Sequence, residues 1–130
     1  MAAETPTELE LLILKVLWEQ SPLTAAEIRE TLAQRGRSLA HTSVITMLQR
    51  MVVKRQVEQL DPVEGKAFRF SPLVGDKQVT QGMLGDFVDR VFDGSAEAVI
   101  LSLFDVAELN AEELSNLRKL LNKKLREVKP

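Results

Sequence analysis

Apolar residues recur at helical spacing through roughly the first third of the chain, and then the period changes. Leu9, Leu12, Ile13, Val16 and Leu17 line one side of a helix expected over residues 8–20, while Leu11, Leu14 and Trp18 line another. A helix that is apolar nearly all round is buried nearly all round. This segment is therefore expected to touch the C-terminal half or a second subunit as well as its nearest neighbours. Thr7, three residues before Glu10, carries the capping-box pattern that opens such a helix. Ser21 and Pro22 interrupt the pattern. Thr24 and Glu27 repeat the box, and a second helix runs to about residue 34 with Ala25, Ile28 and Leu32 inward. Gly36 ends it, because glycine accepts the left-handed conformation that closes a helix. A third helix is expected over about residues 40–54, with Val44, Met47, Leu48, Met51 and Val52 inward. Its other face presents Thr42, Ser43, Thr46, Gln49, Arg50 and Val53.

Beyond this point the pattern shortens to β-type runs at residues 57–60 and 67–71. They are separated by Asp61, Pro62, Val63, Glu64, Gly65 and Lys66, a loop composition that joins the strands of a hairpin. Phe68 and Phe70 are expected to face the core, with Arg69 on the opposite side. Three helices followed by a hairpin is the winged-helix order, and Pro72 marks its approximate end. Three further helical patterns follow: one over residues 76–92, one capped by Ser95, and one capped by Asn110 with Glu113 three residues later. Their apolar stripes are wide, and three helices of this size have no thick core of their own. They are expected to bury the stripes against a second copy of the chain. The fold class expected is thus mainly α: a winged-helix module over residues 1–73, then a three-helix dimerisation segment over residues 74–130. The dimer stripe comprises Val79, Met83, Phe87, Val91, Val99, Leu103, Leu114, Leu117 and Leu121.

Charge sharpens the picture. The whole chain is at −2, yet residues 24–55 hold six basic side chains (Arg29, Arg35, Arg37, Arg50, Lys54 and Arg55) against Glu27 and Glu30. A basic helix pair in an acidic chain is what a DNA-reading module needs, since phosphate contact rewards positive charge locally. The chain has no cysteine, which excludes disulfides, thiolate metal sites and cysteine nucleophiles and fits a reducing compartment. No apolar run suggests a membrane span, and residues 1–10 lack the pattern of a secretion signal, so a cytoplasmic location without membrane contact is expected.

In a helix-turn-helix the second helix enters the major groove and reads bases with its N-terminal residues. Those positions here are His41, Thr42, Ser43 and Thr46, followed by Gln49 and Arg50. Hydroxyls suit phosphate oxygens or base edges, and arginine suits guanine O6 and N7. Lys54, Arg55, Lys66 and Arg69 are candidates for backbone contact near the wing; each is equally readable as a solvated surface charge. Asp61 and Glu64 would repel phosphate, which argues against insertion of the wing tip into the minor groove. His41 is the only histidine and has no second histidine or cysteine to complete a metal site; a carboxylate-only site is the remaining alternative. There is no phosphate-binding glycine loop and no nucleophile–base arrangement. No enzyme activity, metal or cofactor is expected. The alternative to a DNA-binding repressor is a winged-helix module that binds protein and has no DNA role.

The residues also resemble a known family, the penicillinase and methicillin-resistance repressors. The likeness is carried by Lys15-Val16-Leu17-Trp18 with Leu23-Thr24-Ala25-Ala26-Glu27-Ile28, by Leu39-Ala40-His41-Thr42-Ser43-Val44-Ile45-Thr46-Met47-Leu48-Gln49-Arg50-Met51, and by Phe92-Asp93-Gly94-Ser95 with residues 109–121. The resemblance implies a homodimeric winged-helix repressor on a pseudo-palindromic operator in double-stranded DNA, with C-terminal helices forming the dimer. It implies operator contacts from Thr42, Ser43, Thr46 and Arg50, and an inducing partner such as a sensor–protease. The chain departs from the family in three places. Leu101-Ser102-Leu103-Phe104-Asp105 stands where cleavable relatives have an Asn-Phe bond. The cysteine cluster of copper-responsive relatives is missing. Lys54-Arg55 stands where Lys-Gly is common at the exit of the third helix.

Overall fold

The computed structural model describes residues 5–128. The elements run α1 (Glu8–Glu19), β1 (Leu23–Thr24), α2 (Ala25–Gln34), α3 (His41–Val53), β2 (Val57–Leu60), β3 (Arg69–Pro72), α4 (Asp76–Phe92), α5 (Ala96–Val106) and α6 (Ala111–Glu127). The fold is mainly α with a winged-helix order, as the pattern predicts. Both N-terminal capping boxes form. The Thr7 hydroxyl accepts from the Glu10 N–H at 3.2 Å and the Glu10 carboxylate accepts from the Thr7 N–H at 2.9 Å. Thr24 and Glu27 repeat the same pair of bonds. Each box satisfies amides that the first helical turn leaves without partners. Gly36, at φ +87°, closes α2: its own N–H donates to the Ala33 carbonyl and the Arg37 N–H to that of Leu32.

One hydrophobic core organises the first compact unit, which ends at Gly85. Ile13, Leu14, Ile28, Val44, Leu48 and Met51 are fully buried in it. Burial of such side chains is worth about 1.5–3 kcal/mol each and is what fixes the α1–α2–α3 arrangement. The core also takes in Val74 and Val79, with Met83 packed against it. The first unit therefore extends past the boundary expected at residue 73. It also explains how α1 covers its second apolar face: Trp18 packs against this core and hydrogen-bonds the Val74 backbone.

The sheet has three strands in the order β1-β3-β2, all antiparallel. The hairpin was expected; β1 was not. Its two residues pair as Leu23↔Phe70 and Thr24↔Arg69, tying the start of α2 to the wing. The second hairpin strand begins two residues later than expected, because its ladder with β2 closes at Leu60↔Arg69. Phe68 lies before that pair, outside the pleat that would turn it inward. It is 47% exposed, whereas Phe70 is buried, so the expectation that both face the core holds for Phe70 alone.

The second unit begins at Asp86 and contains the end of α4 with α5 and α6. Ser95 caps α5, and Asn110 with Glu113 forms a third capping box on α6. No residue of α5 or α6 is buried. Among the described residues, no helix is long and apolar enough to cross a membrane.

Candidate nucleic-acid interface

The geometry of the site follows from the two faces of α3. Val44, Leu48 and Met51 are fully buried on one face. The same helical turn therefore puts His41, Thr42, Ser43, Thr46, Gln49 and Arg50 on the other, and all six are exposed. Thr42, Ser43, Thr46 and Arg50 surround a shallow depression of about 280 Å³. His41 and Gln49 turn toward the wing, where they line a groove of about 340 Å³ with Gln59 and Phe68. Ala40 occupies the N-cap of α3 and supplies no side-chain hydrogen bond. The helix thus presents its positive end without a capping side chain, an arrangement suited to a phosphate oxygen.

The basic residues divide into two groups. Three are paired with acids of α1: Arg35 with Glu19 at 2.6 Å, Arg37 with Glu8 at 3.7 Å, and Lys54 with Glu10 at 2.8 Å. The first two pairs are exposed and weak, and exchange of partner costs them little. The third is different. Glu10 is only 4% exposed. Burial pushes its carboxyl up, but hydrogen bonds from the Lys54 ammonium and the Thr7 N–H, the Lys54 charge and the Gln56 side-chain amide outweigh that, and the carboxyl is held below the usual carboxylate range. Lys54 is thereby committed to the interior side of the α3 exit. Arg29, Arg50, Arg55 and Lys66 are exposed, and among the described residues none of them forms an ion pair.

The α3 exit is a left-handed turn built on arginine. Arg55 has φ +64°, its N–H donates to the Val52 carbonyl, and the Gln56 N–H reaches back to that of Met51. This is the Schellman arrangement that glycine usually serves. Arg55 therefore adopts the conformation that the Lys-Gly pattern serves, and keeps its charge at the exposed end of α3.

The wing presents less charge than its sequence offers. Lys66 is exposed in the loop, beside the turn formed by Glu64 (φ +50°) and Gly65 (φ +76°). Arg69 is half-buried, and its guanidinium Nη2 donates to the Asp61 carbonyl at 3.3 Å across the base of the loop. It braces the wing from behind. Among the described residues, no cluster of three or more histidine and acidic side chains could hold a metal ion.

The dimer stripe read from the pattern also divides. Val79 is buried in the first unit's core and Met83 packs against it. Phe87, Val91, Leu103, Leu114, Leu117 and Leu121 are between 41% and 67% exposed, and Val99 is half-buried. A groove of about 550 Å³ between α5 and α6 is walled almost wholly by apolar side chains, among them Leu103, Phe104, Leu114 and Leu117. Sequence periodicity cannot separate Val79 and Met83 from the rest, because one helical stripe runs unbroken through two packing environments.

Comparison with known proteins places the chain. The penicillinase repressor family model matches residues 6–123. The transcriptional regulator BlaI of Mycobacterium tuberculosis is 31% identical over 115 residues, covering 88% of this chain and 80% of the relative. The penicillinase repressor of Bacillus licheniformis is 23% identical, covering 88% of each. Among solved structures, the reduced form of MarR from E. coli aligns with 92% of this chain at 19% identity and a TM-score of 0.48. The family match spans both units, from the head of α1 into α6, and the chain belongs to the penicillinase repressor family.

Proposed function

We propose that this chain is a sequence-specific DNA-binding transcriptional repressor, acting as a homodimer on a pseudo-palindromic operator with α3 in the major groove. One observation carries the reading: the exposed face of Thr42, Ser43, Thr46, Gln49 and Arg50 stands directly opposite the fully buried Val44, Leu48 and Met51. The core fixes which face of the helix turns inward and leaves its hydrogen-bonding side chains outward, which is what base reading requires. His41 at the start of α3, with Arg55 and Lys66, supplies backbone contact. Membership of the repressor family supports the same reading.

The second copy follows from α5 and α6. Their apolar side chains are exposed in the single chain, and a second copy of the same surface buries them in a two-fold interface. Two reading helices held by one dimer then meet two half-sites at fixed spacing. The dimer stripe is Phe87, Val91, Val99, Leu103, Leu114, Leu117 and Leu121. An inducing partner belongs to this reading; residues 101–105 offer it no Asn-Phe bond to cleave.

Recovery of genomic DNA fragments bound by the purified chain, at two salt concentrations, tests the proposal. The expected result is a dyad-symmetric motif whose binding weakens steeply as salt rises. Failure to recover a motif, or weak unselective binding at both concentrations, overturns it.

A further inference from the structure

A buried polar node joins the head of α1 to the exit of α3. Glu10 Oε2 accepts from the Lys54 ammonium at 2.8 Å, and Glu10 Oε1 accepts from the Thr7 N–H at 2.9 Å. The Gln56 side chain also hydrogen-bonds the same carboxylate. Gln56 is itself fully buried. Its N–H donates to the Met51 carbonyl in the last turn of α3, and its carbonyl accepts from the Leu73 N–H just past β3, each at 2.9 Å. Four segments therefore meet at the Glu10 carboxylate and at the side chain and backbone of Gln56: the first turn of α1, the last turn of α3, the residue before β2 and the residue after β3. Between Lys54 and Gln56 stands Arg55, forced into a left-handed conformation with its side chain exposed.

This connectivity has a mechanical consequence. The hydrophobic face of α3 fixes its distance from α1 and α2 but leaves soft the sliding and rotation of the helix end, since apolar contact is non-directional. Charge-assisted hydrogen bonds to a buried acceptor are directional. Glu10 thus sets the angle at which α3 leaves the core and hands the chain to the wing. A small error there displaces Arg50 from the base it reads.

We propose that Glu10 is a positioning residue for DNA reading: through Lys54 and Gln56 it holds the exit of α3 and the root of the wing in the register that places Arg50 against the base edges of the operator. Lys54 then acts inside the protein and makes no phosphate contact. The inference rests on the repressor reading above.

The test compares the parent, Glu10→Gln, Lys54→Met and the double variant for binding to the recovered operator and to random DNA. Each is measured across a salt series, well below its unfolding temperature. Each single variant is expected to lose about ten-fold in operator affinity, the size of one lost base contact, with random-DNA affinity little changed. A mere loss of folded protein lowers both affinities alike, so the ratio isolates positioning. The double variant is expected to be no worse than either single one, because both break the same link. The salt slope of Lys54→Met is expected to equal the parent's; a fall of about 0.9 for each half-site marks a phosphate contact and overturns the proposal. Parent-like selectivity in Glu10→Gln overturns it as well. If Glu10→Gln does not fold, Lys54→Met decides by the same ratio and slope. A parent that binds no operator defeats the repressor reading instead, a result distinct from any of these.

Discussion

The indole Nε1 of Trp18 donates to the backbone carbonyl of Val74 at 2.8 Å, across 56 residues of sequence. The bond joins the last turn of α1 to the segment that leads from the wing into α4. With Val74 and Val79 in the core, it draws the start of α4 into the DNA-reading unit. Trp18→Phe keeps most of the packing but leaves the Val74 carbonyl unpaired. Loss of about 1–2 kcal/mol is expected, read as a lower urea midpoint by circular dichroism. An unchanged midpoint means that water serves this carbonyl equally well.

Arg50 lines the same depression on α3 as Thr42, Ser43 and Thr46. Arg50→Ala is predicted to weaken operator binding by about 1–3 kcal/mol while random DNA is little affected. Equal losses on both DNAs assign the guanidinium to phosphate, and the claim that it reads a base then fails.

Arg55 combines a left-handed backbone with an exposed charge, so its two roles separate by substitution. Arg55→Gly removes the Cβ that makes φ +64° costly and is expected to raise stability by a few tenths to about 1 kcal/mol. The same change is predicted to lower the salt slope of DNA binding by about 0.9 for each half-site. A more stable variant with an unaltered slope removes Arg55 from the DNA contacts.

Leu117 lies in the wall of the α5–α6 groove at 41% exposure. A charge placed there by Leu117→Asp is expected to separate the subunits and to lower operator affinity sharply, since two half-sites are no longer held together. Sedimentation of a monomeric parent at micromolar concentration contradicts the dimer itself.

Glu10 also predicts the response to acid. Its carboxyl is held below the usual range in the folded chain, so on acidification the unfolded chain takes up the proton first. The stabilisation it gives is complete above the ordinary carboxylate range and is lost as pH falls through the lower folded-state value. Urea midpoints taken from about pH 7 to about pH 3 should fall more steeply for the parent than for Glu10→Gln. Parallel curves would show that Glu10 is not coupled to folding through its charge.

Helix placement was legible because each signal is local. Thr7 with Glu10, Thr24 with Glu27, and Asn110 with Glu113 each satisfy amides within one helical turn, and the 3.6-residue stripes follow from backbone geometry alone. The exposed face of α3 was legible for the same reason, since fixing Val44, Leu48 and Met51 inward fixes Thr42, Ser43, Thr46 and Arg50 outward. The two-residue β1 was not, because a strand that short has no period to read. Nor did the sequence reveal that Val79 and Met83 leave the apolar stripe to join the first unit's core.

Local pattern is enough to read which residues are helical, which face most of the helices turn inward, and where basic side chains concentrate. Which of those charges pair with an acid follows from the folding of the chain in space. Arg35, Arg37 and Lys54 lie 16, 29 and 44 residues from Glu19, Glu8 and Glu10 along the chain, yet they pair with them. A carboxylate satisfies a cation through space, and its distance along the chain carries no information about that. Glu10 looks in sequence like an ordinary member of a capping box; the folded core buries it and brings the Lys54 ammonium to its second oxygen and the Gln56 side chain to the same carboxylate.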